Sequence, residues 1–333
     1  MKGKQRDIRY DIVRTVAILF VVCIHSYPAT MGDGDVNVYV NSLVNVCIST
    51  AVPLFVMLSG ALLLGRRESI VFTLTHRMKR LLVPFLFWSV IVYGAFFLTR
   101  YGFSAPMMGE CLKGYLHDLV TMDIHQVYWF VYMMFGLYLL LPLLRIVVQS
   151  SPNAFRYLLL LVICGLVMGK CFPQSRFVWL WNNQYFTWVF LFLMGHCVVS
   201  WRFASARASR WVAAMSLVCL MALCVILEAR QLNGGVWDLA KMALYVASFC
   251  FLFTAFPNRV GHSCVASGVT MMSRMSYGIY LSHILFVSLY IRWLSGVMMS
   301  GWLMFVGVVA LVTVTSVIVL TILKKIGLEK IVM

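Results

Sequence analysis

A cation and an imidazole, Arg14 and His25, stand eleven residues apart in the otherwise oily stretch Asp11–His25, DIVRTVAILFVVCIH. At about 100° per residue, eleven steps bring the two side chains to within roughly 20° of one helix face. Asp11 precedes Arg14 by three residues and falls on the same side. A rise of about 1.5 Å per residue sets His25 roughly 16 Å further along the helix. A guanidinium stays charged and binds phosphate through paired N–H groups. An imidazole, with an ordinary pKa of about 6.5, can take a proton from a hydroxyl or attack as a nucleophile. Such groups inside a membrane-spanning run mark function or a buried partner by default. The competing reading is structural, with Arg14 snorkelling to headgroups and His25 capping the helix near Pro28. The shared face of Asp11, Arg14 and His25 favours a site.

Two further groups repeat these residue types. Arg77 and Arg80, in RMKR, are three apart and so share one helix face; their forks suit phosphate. Ser276, Tyr280 and His283 follow Arg274 at i, i+4, i+7, again one face with a cation at its foot. The alternative is a packed polar face between helices. Asn41, Asn45 and Ser49 stand four apart, which favours interhelical hydrogen bonding over contact with a substrate. Trp179, Trp181, Asn182, Asn183, Tyr185 and Trp188 crowd one segment, in the manner of a sugar site or of an interfacial aromatic belt. His117, Asp118, Asp123 and His125 match no usual metal spacing, so no metal is expected.

The elements that carry these residues are membrane helices. Hydrophobic residues make up 62% of the 333 and charged residues 11%, which excludes a soluble globule. Apolar runs suggest ten spans: 11–29, 42–64, 78–98, 128–148, 156–172, 184–201, 211–228, 237–256, 272–294 and 301–323. The fold class expected is therefore all-α and polytopic. The first run has no small-residue cleavage pattern after it and is expected to stay as a span. No soluble domain is expected at either end or between spans, so residues 1–333 read as one membrane domain. Pro53 is expected to kink the second span, and Ser59-Gly60 to permit close helix approach.

Orientation follows from lysine and arginine. Lys2, Lys4, Arg6, Arg9, the 65–80 link, Arg202–Arg210, the tail and the feet Arg14, Arg145, Arg156, Arg259 and Arg274 hold about 20 of the 27 basic residues. The opposite side holds most acids, including Asp33, Asp35, Asp118, Asp123 and Asp238. Both termini are thus expected in the cytoplasm. The net charge of +16 reads as topology and anionic lipid, with no need for nucleic acid. The ten cysteines show no CxxC and read as small packing residues, although Cys111 and Cys171 lie near the outer face. Segment 99–127 reads as an interfacial amphipathic stretch, and the end of the chain as structural.

Four of these segments together resemble acyltransferase family 3, bacterial membrane proteins that include O-acetyltransferases of surface polysaccharides and lipid-linked sugars. Arg14 and His25 match its first-span signature. PLFVMLSGALL (53–63) resembles its second-span segment, RMKR (77–80) its Arg-x-x-Arg element, and SYGIYLSHILF (276–286) its late Ser-Tyr-Gly-Ile-Tyr-Leu-x-His motif. Trp129-Phe130 and Gly195 also have similar counterparts there. The chain is most similar to the short stand-alone members, such as those acting on enterobacterial common antigen and exopolysaccharide. The resemblance implies acyl transfer, acetyl above all, from cytoplasmic acetyl-CoA to a surface-glycan hydroxyl across a bacterial inner membrane. It implies that Arg14, Arg77 and Arg80 hold the CoA phosphates. His25 would act as general base or acyl relay, aided by Asp11 and Arg14. Trp129, Ser276, Tyr280 and His283 would meet the substrate or support the base. The rival is a transporter or flippase of a lipid-linked sugar, using the same polar residues as a path and needing no donor.

Overall fold

The computed structural model describes residues 6–31, 37–102, 105–171, 184–200, 207–232, 234–258, 263–294, 296 and 300–333. Helices account for the described secondary structure: α1 (Ile8–Thr30), α2 (Val38–Ser49), α3 (Ala51–Leu63), α4 (Ile70–Phe72), α5 (Met78–Tyr101), α6 (Ala105–Thr121), α7 (Trp129–Ser150) and α8 (Pro152–Cys171), followed by α9 (Gln184–Ser200), α10 (Arg207–Ala229), α11 (Gly235–Ala255), α12 (Cys264–Leu294), α13 (Gly301–Lys325) and α14 (Glu329–Val332). A π-helical turn, Thr73–Arg77, leads into α5, and a 3-10 turn, Gln126–Tyr128, leads into α7. The protein is an all-α polytopic membrane protein. Among the described residues, eight segments are long and apolar enough to cross a membrane. α9, at 17 residues, is a shorter apolar helix. α12 runs for 31 residues, but Arg274, Ser276, Ser282 and His283 dilute its apolar character, and it falls outside the eight.

The second expected span differs from its sequence reading. The chain breaks at Thr50 into α2 and α3 instead of kinking at Pro53. Proline has no N–H and would crowd the Ser49 carbonyl of a continuous helix. Ending α2 at Ser49 places Pro53 in the first turn of α3, where a missing donor costs little. The Thr50 hydroxyl then donates to the Cys47 carbonyl at 2.7 Å.

The described residues form two compact units, and α1, α7 and α12 contribute residues to each. In the first unit (1–24, 33–68 and 140–273), α3 and α9 pack backbone to backbone. A side chain on Gly60 would collide with the Phe192 carbonyl, and one on Gly195 with that of Met57. The close approach expected of Ser59-Gly60 is therefore made against the backbone of α9, which brings its own glycine, Gly195, against Met57 of α3. Val46, Cys224, Ala240 and Leu244 form a small core where α2 meets the α10–α11 pair. Along the polar row, Asn45 Nδ2 donates to Asn41 Oδ1 at 3.3 Å and the Ser49 hydroxyl to the Val46 carbonyl at 2.8 Å, both within α2. Glu228 and Tyr245 of the neighbouring helices lie beside Asn45 and Ser49. Arg145, 4% exposed, clamps the far end of α3. Its Nε donates to the Leu63 carbonyl at 2.9 Å and its Nη2 to Glu68 at 3.0 Å.

In the second unit (25–32, 69–139 and 274–333), tyrosines tie α12 to its neighbours. Tyr277 donates to the Leu81 carbonyl at 2.6 Å, and Tyr128 to the Leu281 carbonyl at 2.9 Å. The chain's end is packed rather than free: Val332 is fully buried and its carbonyl accepts from Trp88 Nε1 at 3.2 Å. A Cβ on Gly278 would meet that same carbonyl at 2.8 Å. All ten cysteines are free thiols.

Candidate active site

The charged foot of α1 is organised by its carboxylate. Asp11 is 2% exposed, a position an acid holds only when its oxygens are paired. It accepts from Arg6 Nε at 2.6 Å, from Arg6 Nη2 at 2.5 Å and from the Ser273 hydroxyl at 2.6 Å. Arg14 Nη1 stands 3.4 Å from that same Ser273 oxygen. Asp11 and Arg14 thus meet through a serine, with Arg6 as the direct ion-pair partner of the acid. Thr15 adds a bond to the Val269 carbonyl at 3.1 Å, so α1 and the start of α12 are laced together here. Arg14 itself is half-buried, with its fork at the rim of this network. Ser273 and Arg6 were not singled out by the sequence reading. Ser273 continues the spacing of Ser276, Tyr280 and His283 one step back, a signal that extending the polar face would have caught.

His25 sits at the other end of α1, half-buried, with the His283 ring 5.1 Å away between centroids and tilted by 41°. His283 is fully buried, and its Nδ1 lies 2.6 Å from the Tyr280 carbonyl. Its Nε2 is buried with no hydrogen-bond partner among the described residues. Tyr280, 4% exposed, donates its hydroxyl to the Val127 carbonyl. It packs edge-on against Phe130 at 5.2 Å. Ser276 is 4% exposed. One face of α12 thus holds Ser276, Tyr280 and His283 inside the protein, and His25 is the more accessible of the two imidazoles.

Arg77 is the last residue of the π turn and is half-buried, whereas Arg80, on the first turn of α5, is exposed. The extra residue of a π turn re-aims the side chains that follow it. Phe72 and His76 stack within this segment, with centroids 4.7 Å apart and planes 12° from parallel. Trp129, 43% exposed, opens α7 beside Phe130. His117 pairs with Asp118 at 2.9 Å, and His125 Nδ1 accepts the Val127 N–H at 3.3 Å. Among the described residues, no three His, Cys, Asp or Glu side chains come together. Trp179, Trp181, Asn182, Asn183, Lys2, Lys4, Asp33, Asp35, Arg202 and Arg259 lie outside the described residues.

Residues 7–321 match the acyltransferase domain of family 3, which covers nearly the whole chain and every candidate residue from Asp11 to His283. The chain belongs to acyltransferase family 3. Its buried polar groups are therefore those of a multi-pass membrane protein of that family. A relative of this family 3 protein is the nodulation protein NolL of Sinorhizobium fredii (strain NBRC 101917 / NGR234), 27% identical over 143 residues. That stretch is 42% of this chain and 37% of NolL's length, well under two thirds of the relative. No solved structure matches the chain.

Proposed function

We propose that the protein moves an acetyl group from cytoplasmic acetyl-CoA to a hydroxyl of a cell-surface glycan or its lipid-linked precursor. In this reading it lies in a bacterial inner membrane with both termini in the cytoplasm, where the basic residues concentrate. Arg14, Arg77 and Arg80 bind the CoA phosphates. Arg14 and His25 lie on one helix with a rise between them of roughly 16 Å, similar to the reach of a pantetheine arm. The thioester then arrives at the imidazole. His25 takes the proton of the acceptor hydroxyl as the new C–O bond forms, the C–S bond breaks, and the proton passes to the departing CoA thiolate. In the two-step variant His25 carries the acetyl group between donor and acceptor. Asp11 holds the cationic foot of α1 in place. Trp129, exposed at the start of α7, is the surface for an apolar sugar face. Ser276, Tyr280 and His283 support the chemistry from behind.

The observation that supports this assignment of residues is the contrast in burial: His25 is half-buried while Ser276, Tyr280 and His283 of α12 are buried. The rival is a flippase for a lipid-linked sugar, which needs the same polar residues and no donor. Purified protein in nanodiscs with radiolabelled acetyl-CoA separates them. Consumption of acetyl-CoA that is lost in folded Arg14→Ala and His25→Ala supports acyl transfer. Movement of a lipid-linked sugar across proteoliposomes with no consumption of acetyl-CoA overturns it.

A further inference from the structure

The His283 ring offers a buried lone pair that nothing described so far uses. Its Nδ1 lies 2.6 Å from the Tyr280 carbonyl oxygen. A carbonyl only accepts, so Nδ1 carries the hydrogen, and in the neutral ring Nε2 is left as a bare acceptor. That nitrogen is buried without a hydrogen-bond partner among the described residues, in a side chain with no exposed surface. A buried acceptor left unsatisfied is disfavoured, so a donor belongs within its reach.

The His25 ring is placed to supply one. An N–H···N contact of about 3 Å plus two ring radii puts imidazole centroids about 5 Å apart. The two rings stand at 5.1 Å, tilted by 41°, a separation at which such a bond can form. The Tyr280 hydroxyl is already given to the Val127 carbonyl and the Tyr128 hydroxyl to the Leu281 carbonyl.

We propose that His283 is the positioning residue of His25: its Nε2 accepts one His25 N–H and so presents the other His25 nitrogen, lone pair outward, to the reacting hydroxyl. The proposal rests on His25 acting as base in the acyltransferase reading. When that outward nitrogen takes the hydroxyl proton, the imidazolium keeps its inner N–H on His283. That hydrogen bond strengthens as the ring becomes charged. The proton then leaves with the CoA thiolate, and His283 is unchanged at the end of the cycle. Because substrate cannot touch a sealed ring, His283 acts only through His25.

The test uses full-length protein in nanodiscs, labelled with 15N in the histidine rings. A scalar coupling between a His25 nitrogen and His283 Nε2, seen in wild type, is the expected result and needs no variant. Its absence, with His25 sampling both neutral tautomers, overturns the proposal. His283→Leu is expected to scramble the His25 tautomer and lower kcat by about 100-fold, the low end of a general base's worth, with KM for acetyl-CoA unchanged. His283→Gln, whose amide oxygen falls near the position of Nε2, is expected to restore the tautomer and at least a tenth of kcat. A His25 tautomer indifferent to His283→Leu refutes the positioning role even if wild type turns over acetyl-CoA. An intact coupling in a protein that never consumes acetyl-CoA sinks the acyltransferase reading and leaves the ring pair standing.

Discussion

Replacing Tyr280 by phenylalanine separates a tyrosine that touches substrate from one that braces two helices. The Tyr280 hydroxyl donates to the Val127 carbonyl, and Val127 is 3% exposed, so the change strands an acceptor out of reach of water. The aromatic contact with Phe130 at 5.2 Å survives, because phenylalanine keeps the ring. The loss is then the net hydrogen bond plus the desolvated carbonyl, about 1–3 kcal/mol together. For a chain of 333 residues each kcal/mol is about 1–2 °C of melting temperature, so Tyr280→Phe is expected to melt about 1–5 °C lower. Tyr128→Phe serves as the internal comparison. Its acceptor, the Leu281 carbonyl, is inside α12 and keeps its helical N–H partner, so that variant is expected to lose only about 0.5–1 kcal/mol. The assay is thermal unfolding in detergent followed by size exclusion, beside acetyl-CoA turnover per folded molecule. A Tyr280→Phe protein with unchanged melting temperature and a raised KM for the acceptor would refute the brace and return Tyr280 to the substrate.

Other perturbations probe the rest of the architecture. Gly60→Ala or Gly195→Ala places a methyl group on the opposing backbone of α9 or α3, and each is expected to abolish recovery of monodisperse protein, read by fluorescence-detected size exclusion. Arg145→Met removes the 3.0 Å partner of Glu68, which keeps Arg66 at 3.8 Å, and frees the Leu63 carbonyl. It is expected to destabilise by about 1–3 kcal/mol, with Arg145→Met/Glu68→Gln regaining part of it in the same melting assay. Under the proposed function, Arg80→Ala is expected to raise KM for acetyl-CoA about tenfold and to leave turnover of acetyl-pantetheine, which has no nucleotide phosphates, unchanged. Equal effects on both donors would place Arg80 elsewhere.

The helices were largely legible because a long apolar run has few alternatives in a membrane, where each backbone polar group must be satisfied internally. Each of the ten expected spans falls on helix to within a few residues, and the start of α12 lies eight residues earlier than expected. What sequence could not give was the partner of a given charge. Asp11 sits three residues from Arg14, yet it takes two nitrogens of Arg6 and the hydroxyl of Ser273, 262 residues away. Arg145 looked like an ordinary positive-inside cation and is instead buried against Glu68 and a helix end. The packed C-terminus was equally hidden, since the burial of Val332 depends on a gap beside Gly278 that only the fold creates.

The central claim is that His25 is the residue through which the acetyl group or its displaced proton passes. Single-turnover mixing of radiolabelled acetyl-CoA with nanodisc-embedded wild type and His25→Ala tests it most directly. The prediction is CoA release from wild type alone, with both proteins binding donor equally, since the proposed phosphate ligands are untouched. Equal CoA release from folded His25→Ala would contradict it.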